Sequence, residues 1–258
     1  MDPLEALAIF VAGIAAGTIN TIVGSGTLIT FPVLIALGYQ PLVANVSNNI
    51  GLVPGSMTGA YGYRRELRGQ RRLLLRLVPA SVLGALTGAF LLLHLPASTF
   101  EAIVPILIGV AVLLVALQPQ LQRRLAAGPF DGTAHRVRGA RLAGLFAGAY
   151  ATGTYGGYFA ASQGVLQIGI FGLLLHESLQ RLNALKNVLT LTVNTVAAGA
   201  YVVVATDRID WAAAGLLAAG SLVGGAISAR YGRRLPSGVL RTAIVVLGVV
   251  AIVVLVNR

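Results

Sequence analysis

The stretch LEALAIFVAGIAAGTINTIVGSGTLITFPVLIAL, from Leu4 to Leu37, decides the fold. It is apolar almost throughout and is interrupted near its middle by Gly24-Ser25-Gly26. A continuous helix of this length would extend about 50 Å, against a bilayer hydrocarbon core of ~30 Å. The chain must therefore turn or unwind at the glycines, and non-helical backbone at membrane depth survives only inside protein or beside a watery cavity. A second stretch, LAGLFAGAYATGTYGGYFAASQGVLQIGIFGLLL, from Leu142 to Leu175, is expected to break in the same way at Gly153-Thr154-Tyr155-Gly156-Gly157. A matched pair of interruptions, one per half, points to the binding site of a transporter.

Composition agrees. Of 258 residues 56% are hydrophobic and only 10% are charged, with mean hydropathy +0.82. A soluble domain carries about a quarter charged residues, so the chain reads as a polytopic membrane protein. The net charge is +11, and every one of the 19 basic residues except Lys186 is arginine. Most lie in short segments between spans, as expected of cytoplasmic loops facing anionic lipid. Membrane lipid is therefore the expected partner, and nucleic acid is not. There is no cysteine, which excludes disulfides and thiolate chemistry. The start Met1-Asp2-Pro3-Leu4-Glu5 lacks the basic segment of a signal peptide and reads as a mature N-terminus.

Membrane segments are expected at Leu4–Val23, Thr27–Leu37, Val43–Gly62, Leu73–His94, Phe100–Leu117, Gly139–Thr152, Tyr158–Leu174, Leu179–Ala205, Trp211–Ala229 and Ser237–Val256. The residues divide into a first repeat at 1–118, a basic cytoplasmic linker at 119–138 with turn signals Gly128-Pro129 and Asp131-Gly132, and a second repeat at 139–258. Gly13-x-x-x-Gly17 is matched by Gly144-x-x-x-Gly148, and Asn45-x-x-x-Asn49 by Asn183-x-x-x-Asn187.

Charge sets the topology. If each broken stretch were a single span, Arg181, Arg230, Arg233, Arg234 and Arg241 would fall outside. If each is a hairpin, those arginines lie inside, and the outer side keeps Asp2, Glu5, Glu101, Asp207 and Asp210 with Arg208 and Arg258. The positive-inside rule favours hairpins. The fold class is then an all-α polytopic membrane protein of two inverted-topology repeats, each a re-entrant or short hairpin followed by three transmembrane helices. Small residues at four-residue spacing, Gly51/Gly55/Gly59, Gly84/Gly88 and Gly220/Gly224, are expected to let helices approach closely.

Candidate substrate-binding residues follow from the breaks. Gly24, Ser25 and Gly26 lead into one short helix, and Gly156 and Gly157 are expected to lead into another. A helix start exposes unpaired N–H groups and about half a positive charge, which suits an anion. The amides Asn45, Asn48 and Asn49, with Asn183 and Asn187 in the second half, either bind substrate or join helices; Ser47, Asn20 and Asn194 share that ambiguity. Lys186, in an otherwise apolar helix, would draw an anion unless it snorkels to the interface. No Asp or Glu lies in the middle of a span, which disfavours a cation substrate. His94, His135 and His176 lack metal-ligand spacing. No catalytic residue, metal or cofactor is expected, and the chain does not read as an enzyme.

The stretch AGIAAGTINTIVGSGTLITFPVLIALGYQPLVANVSNNIGLVPGSMTGAYGYRREL, Ala12 to Leu67, resembles the first half of the sulfite exporter TauE/SafE family. NALKNVLTLTVNTVAAGAYVVVATDRIDW, Asn183 to Trp211, is similar to its second half. The resemblance implies a multi-pass transporter of the bacterial or archaeal inner membrane, exporting sulfite, sulfonates or related small organic anions. It implies roles for Gly24–Gly26, Asn45, Asn49, Asn183, Lys186 and Asn187. The second glycine run departs from the family, which often has a denser run followed by proline. Alternating access by a secondary transporter is the expected mechanism. An anion channel and a non-transporting scaffold or assembly factor are the alternatives, and a homodimer is left open.

Overall fold

The computed structural model describes residues 1–126, 137–231 and 237–256, and the regular structure among them is helical. The elements are α1 (Pro3–Ile22), α2 (Thr27–Ala36), α3 (Pro41–Gly62), α4 (Arg71–His94), α5 (Ala97–Ala126), α6 (Gly139–Phe159), α7 (Gln163–Leu174), α8 (Leu179–Val204), a 3₁₀ turn at Thr206–Arg208, α9 (Trp211–Tyr231) and α10 (Ser237–Val256). By length and composition α1, α4, α5, α8 and α9 can each cross a membrane.

The first break lies where expected. Asp2 caps α1, with the Glu5 carboxylate accepting from the Asp2 backbone N–H at 3.1 Å. The helix ends at Ile22, and Gly24 turns the chain at φ +87°. The chain then doubles back: a Cβ on Gly26 would sit 2.7 Å from the Ala16 carbonyl oxygen. At ~1.5 Å per residue α2 rises only about 15 Å, half the hydrocarbon core. Glu5 and Tyr39 line one cavity, so α1 begins and α2 ends at the same end of the molecule.

The second break is displaced from its expected position. α6 runs without interruption through Gly153, Gly156 and Gly157, and the chain turns instead at Ala160-Ala161-Ser162. Ser162 takes the left-handed conformation at φ 60°. The glycines serve packing. A Cβ on Gly153 would lie 2.7 Å from Ser81 O, one on Gly157 2.3 Å from Ala85 O, and one on Gly156 2.2 Å from Gln163 Oε1. Gly156 and Gly157 therefore do not open α7.

The glycine pairs match differently from their spacing. Gly13 and Gly17 press on Leu217 and Ser221 of α9, whereas Gly144 and Gly148 meet Leu174 and Ile170 of α7. The α1–α9 contact has its counterpart in α4–α6, where Gly84 meets Tyr150 O and Gly88 meets Thr154 O. The stripe expected at Gly51, Gly55 and Gly59 divides: Gly51 and Gly55 pack on Leu217 and Ser221 of α9, and Gly59 on Thr21 of α1. With no hydrophobic drive between helices in lipid, such close backbone contact carries the association.

Charged residues segregate by end. Gln40, His94, Glu101 and Arg208 share one cavity, at the end where α3 and α5 begin and α4 finishes. At the other end Arg181, near the start of α8, donates through Nη1 to Arg68 O at 3.0 Å. Helix α5 continues through Pro119 to Ala126, so part of the segment read as linker is helical. Its Leu121 and Leu125 cover Gly169 and Gly172 of α7. The turn signals at 128–132, with His135, Arg233, Arg234 and Arg258, lie outside the described residues.

The packing makes a direct prediction. A Cβ on Gly224 would fall 1.9 Å from Ile14 O, whereas Gly199 faces open space. Overpacking costs about 1–3 kcal/mol, so Gly224→Ala should lower the thermal midpoint by several degrees in detergent, and Gly199→Ala should leave it unchanged or raised. Equal midpoints for both would contradict the α1–α9 contact.

Candidate functional site

The two breaks touch. Gly164, the second residue of α7, donates its backbone N–H to Gly24 O at 3.2 Å, and a Cβ on Gly24 would lie 2.6 Å from Gly164 Cα. Around this contact each half grips the broken helix of the other. Lys186 of α8, fully buried, donates through Nζ to Asn20 O at 3.2 Å and Thr21 O at 3.1 Å. Asn187 Nδ2 donates to Thr21 O at 3.4 Å. These carbonyls close α1, where the helix dipole places about half a negative charge. From the other half, Asn45 Nδ2 donates to Tyr158 O near the end of α6 at 2.9 Å. Tyr201 donates its hydroxyl to Gly157 O at 2.5 Å. The same interval separates Asn20 from Tyr158, Gly24 from Ser162, Asn45 from Asn183 and Asn49 from Asn187.

Lys186 therefore does not snorkel. Its ammonium rests on a helix C-terminus, while its stem crosses the start of α7, with Cδ 2.9 Å from where a Gly164 Cβ would be. It pairs with no carboxylate among the described residues. Burying an ion costs several kcal/mol even after relaxation, and two neutral carbonyls offset that only in part.

The amides divide into two kinds. Asn48 is a latch: it accepts from Thr30 Oγ1 and donates to Thr27 Oγ1 at 3.1 Å, fastening α3 to the start of α2. Asn20 and Asn194 both donate to Ser56 Oγ at 3.3 Å and join α1, α3 and α8. Ser47 Oγ accepts from Asp210 N. Ser25 Oγ, Asn49 Oδ1, Asn183 Oδ1, Asn194 Oδ1 and both side-chain polar atoms of Gln163 are buried without a protein hydrogen-bond partner. Buried polar atoms are almost always satisfied, so these atoms call for a polar companion. Toward the end bearing Arg208, an aromatic wall closes the region. Phe31 meets Phe159 edge-on at 5.3 Å, and Phe100 meets Tyr158 at 5.6 Å. No group of three or more His, Asp or Glu among the described residues could hold a metal.

The family model described as Sulfite exporter TauE/SafE matches residues 9–255. The chain belongs to this family. It is 29% identical over 241 residues to Probable membrane transporter protein YfcA of Escherichia coli (strain K12), covering 91% of this chain and 82% of the relative. It is 27% identical over 246 residues to Probable membrane transporter protein ORF9 of a Sinorhizobium species, covering 93% and 88%. A Probable membrane transporter protein of Haemophilus influenzae is 26% identical over 231 residues, covering 88% and 85%. No solved structure matches. This TauE/SafE protein is accordingly a multi-pass membrane transporter.

Three residues of the TauE/SafE chain at the breaks escape a reading that follows glycine runs: Ser162, Gln163 and Gly164. A polar signal for them exists, since Gln163 and Gln167 stand four residues apart in an apolar segment. Gln167 Oε1 accepts from Thr190 Oγ1 at 3.0 Å, tying α7 to α8.

Proposed function

We propose that this chain is a secondary transporter that exports a small anion, sulfite, a sulfonate or a related organic anion, across the inner membrane by alternating access. The observation that carries this reading is the buried Lys186 ammonium, unpaired with any carboxylate among the described residues, at the contact between the two breaks. A lone intramembrane cation marks an ion pathway by default. An anion beside it would complete its neutralisation and could use the donors of Gln163 and the starts of α2 and α7. Gly24, Ser25, Gly26, Asn49, Asn183, Lys186 and Asn187 form the substrate region in this reading. Asn45, Asn48, Gly157 and Gly156 shape it, through the α6 terminus, α2, the α4 contact and the contact with Gln163. The family name supports sulfite as the first anion to test.

The two halves act as inverted repeats, 1–118 and 139–258. The equal intervals between matched residues support this, as do the paired α1–α9 and α4–α6 contacts. Movement of one half against the other would exchange the grip of Lys186 on α1 for a grip on substrate. The test is a screen of sulfite, sulfoacetate, thiosulfate and short carboxylates by thermal stabilisation, followed by counterflow in proteoliposomes. At least one sulfur oxyanion or sulfonate should stabilise the protein and show saturable counterflow. Unsaturable flux down a gradient would replace the carrier by a channel, and absence of both binding and flux would overturn anion transport.

A further inference from the structure

We infer that the cavity at the α3–α4 connection binds the headgroup of an anionic phospholipid. The cavity has a volume of ≈ 450 Å³. Arg64, Arg68 and Arg71 rim it, Leu67 and Leu74 supply apolar wall, and Gln70 also lines it. All three arginines are exposed, and no acidic side chain contributes to the lining. Glu66 and Glu177 belong to the same end but stand outside it, Glu177 being held by Arg181 Nε at 2.5 Å.

The arginines are set for a phosphate. Arg64 is oriented by a hydrogen bond from Nη1 to Tyr61 O at 3.0 Å, with its guanidinium carbon 4.0 Å from the Tyr61 ring centroid. A guanidinium has five donors in a planar fork suited to phosphate oxygens. Gln70 is fully buried, and its Nε2 donates to Glu66 O at 2.9 Å and Arg181 O at 3.2 Å. Both amide hydrogens are thereby used, while Oε1 has no donor.

The surroundings favour a lipid over a free anion. Tyr61, 66% exposed, and Leu75, 60% exposed, flank the connection on either side. Tyrosine is enriched where a membrane meets water, and exposed leucine beside it suits acyl chains. A free phosphate would gain nothing from Leu67 and Leu74. Occupancy would reach the substrate region indirectly, because Arg68 O and Gln70 hold Arg181 at the base of α8, the helix that carries Lys186. The site stands whatever anion the protein carries.

Native mass spectrometry of the full chain, titrated with phosphatidylglycerol in phosphatidylcholine micelles, tests the assignment. Arg68→Gln/Arg71→Gln should weaken phosphatidylglycerol binding about thirtyfold, which is about 2 kcal/mol at 1.4 kcal/mol per factor of ten. Arg123→Gln/Arg124→Gln, which removes equal charge from the exposed end of α5, should change it by less than about twofold, as dispersed surface charge does. Equal losses in the two variants would reduce the effect to general surface charge and overturn the site. Unchanged binding in the Arg68/Arg71 variant would also overturn it. Displacement of the lipid by millimolar inorganic phosphate would assign the pocket to a free anion instead.

Discussion

Lys186→Met is expected to cut anion flux by about a hundredfold or more while leaving a folded protein, since truncating one partner of a buried charge contact costs about 2–5 kcal/mol. Methionine preserves the unbranched stem and fills irregular space well, so the path beneath Gly164 stays occupied. What disappears is the positive charge at the junction of the two breaks. The carbonyls of Asn20 and Thr21 lose a donor, which costs about 1–3 kcal/mol of stability and should lower the thermal midpoint without preventing assembly. Lys186→Arg should also transport poorly, because a planar fork replaces a point charge where Gly164 already crowds the stem. Counterflow in proteoliposomes, read beside size-exclusion profiles and thermal midpoints, separates the two roles of the side chain. Full flux from a monodisperse Met variant would make Lys186 only a cap for α1.

The parts of the fold legible in sequence are those with one physical cause. The span from Leu4 to Leu37 is too long for a bilayer, and Gly24-Ser25-Gly26 is its only weak point, so the first hairpin could be placed to within a residue or two. The apolar segment Ser237–Val256 has no competing feature, and its ends were legible too. Lys186 stood out because a lone lysine in an apolar helix has few interpretations. The second hairpin was misplaced because glycine serves two purposes. At Gly153 and Gly157 it removes side chains where α6 crosses α4, at Gly156 it makes room for Gln163, and backbone freedom is not used. The actual turn carries Ser162 in a left-handed conformation that its residue type does not announce. The amides pose a related difficulty. Asn48 and Asn49 are neighbours in sequence, yet one is fully engaged with α2 and the other leaves Oδ1 unpartnered. Adjacent residues on a helix point about 100° apart, and only the neighbouring helices decide which of them meets a partner.

Gly24→Ala and Gly164→Ala should each abolish transport, by a route independent of charge. At Gly24 an alanine must hold φ +87° and also push its Cβ to 2.6 Å from Gly164 Cα. A left-handed conformation alone costs a non-glycine residue about 1–2 kcal/mol, and the clash adds to it because both parties are backbone. At Gly164 the new methyl group would meet Gly24 Cα at 2.6 Å and Lys186 Cδ at 2.9 Å. The breaks would have to separate by several tenths of an ångström, and the lysine stem would be displaced from the start of α7. Flux should fall by more than about tenfold, since misplacement on this scale is costly where geometry sets the energy. Gly199→Ala, which adds a methyl group in open space, is the matched control. The two junction variants should also respond differently to a shorter side chain at position 186. Lys186→Ala makes room beside Gly164 but not beside Gly24, so in the Lys186→Ala background the stability lost on Gly164→Ala should shrink while that lost on Gly24→Ala persists. Thermal midpoints of the three single and two double variants measure this coupling. Additive losses at Gly164 would mean that the lysine stem does not press on the second break, and the contact that unites the two halves would lose its central residue.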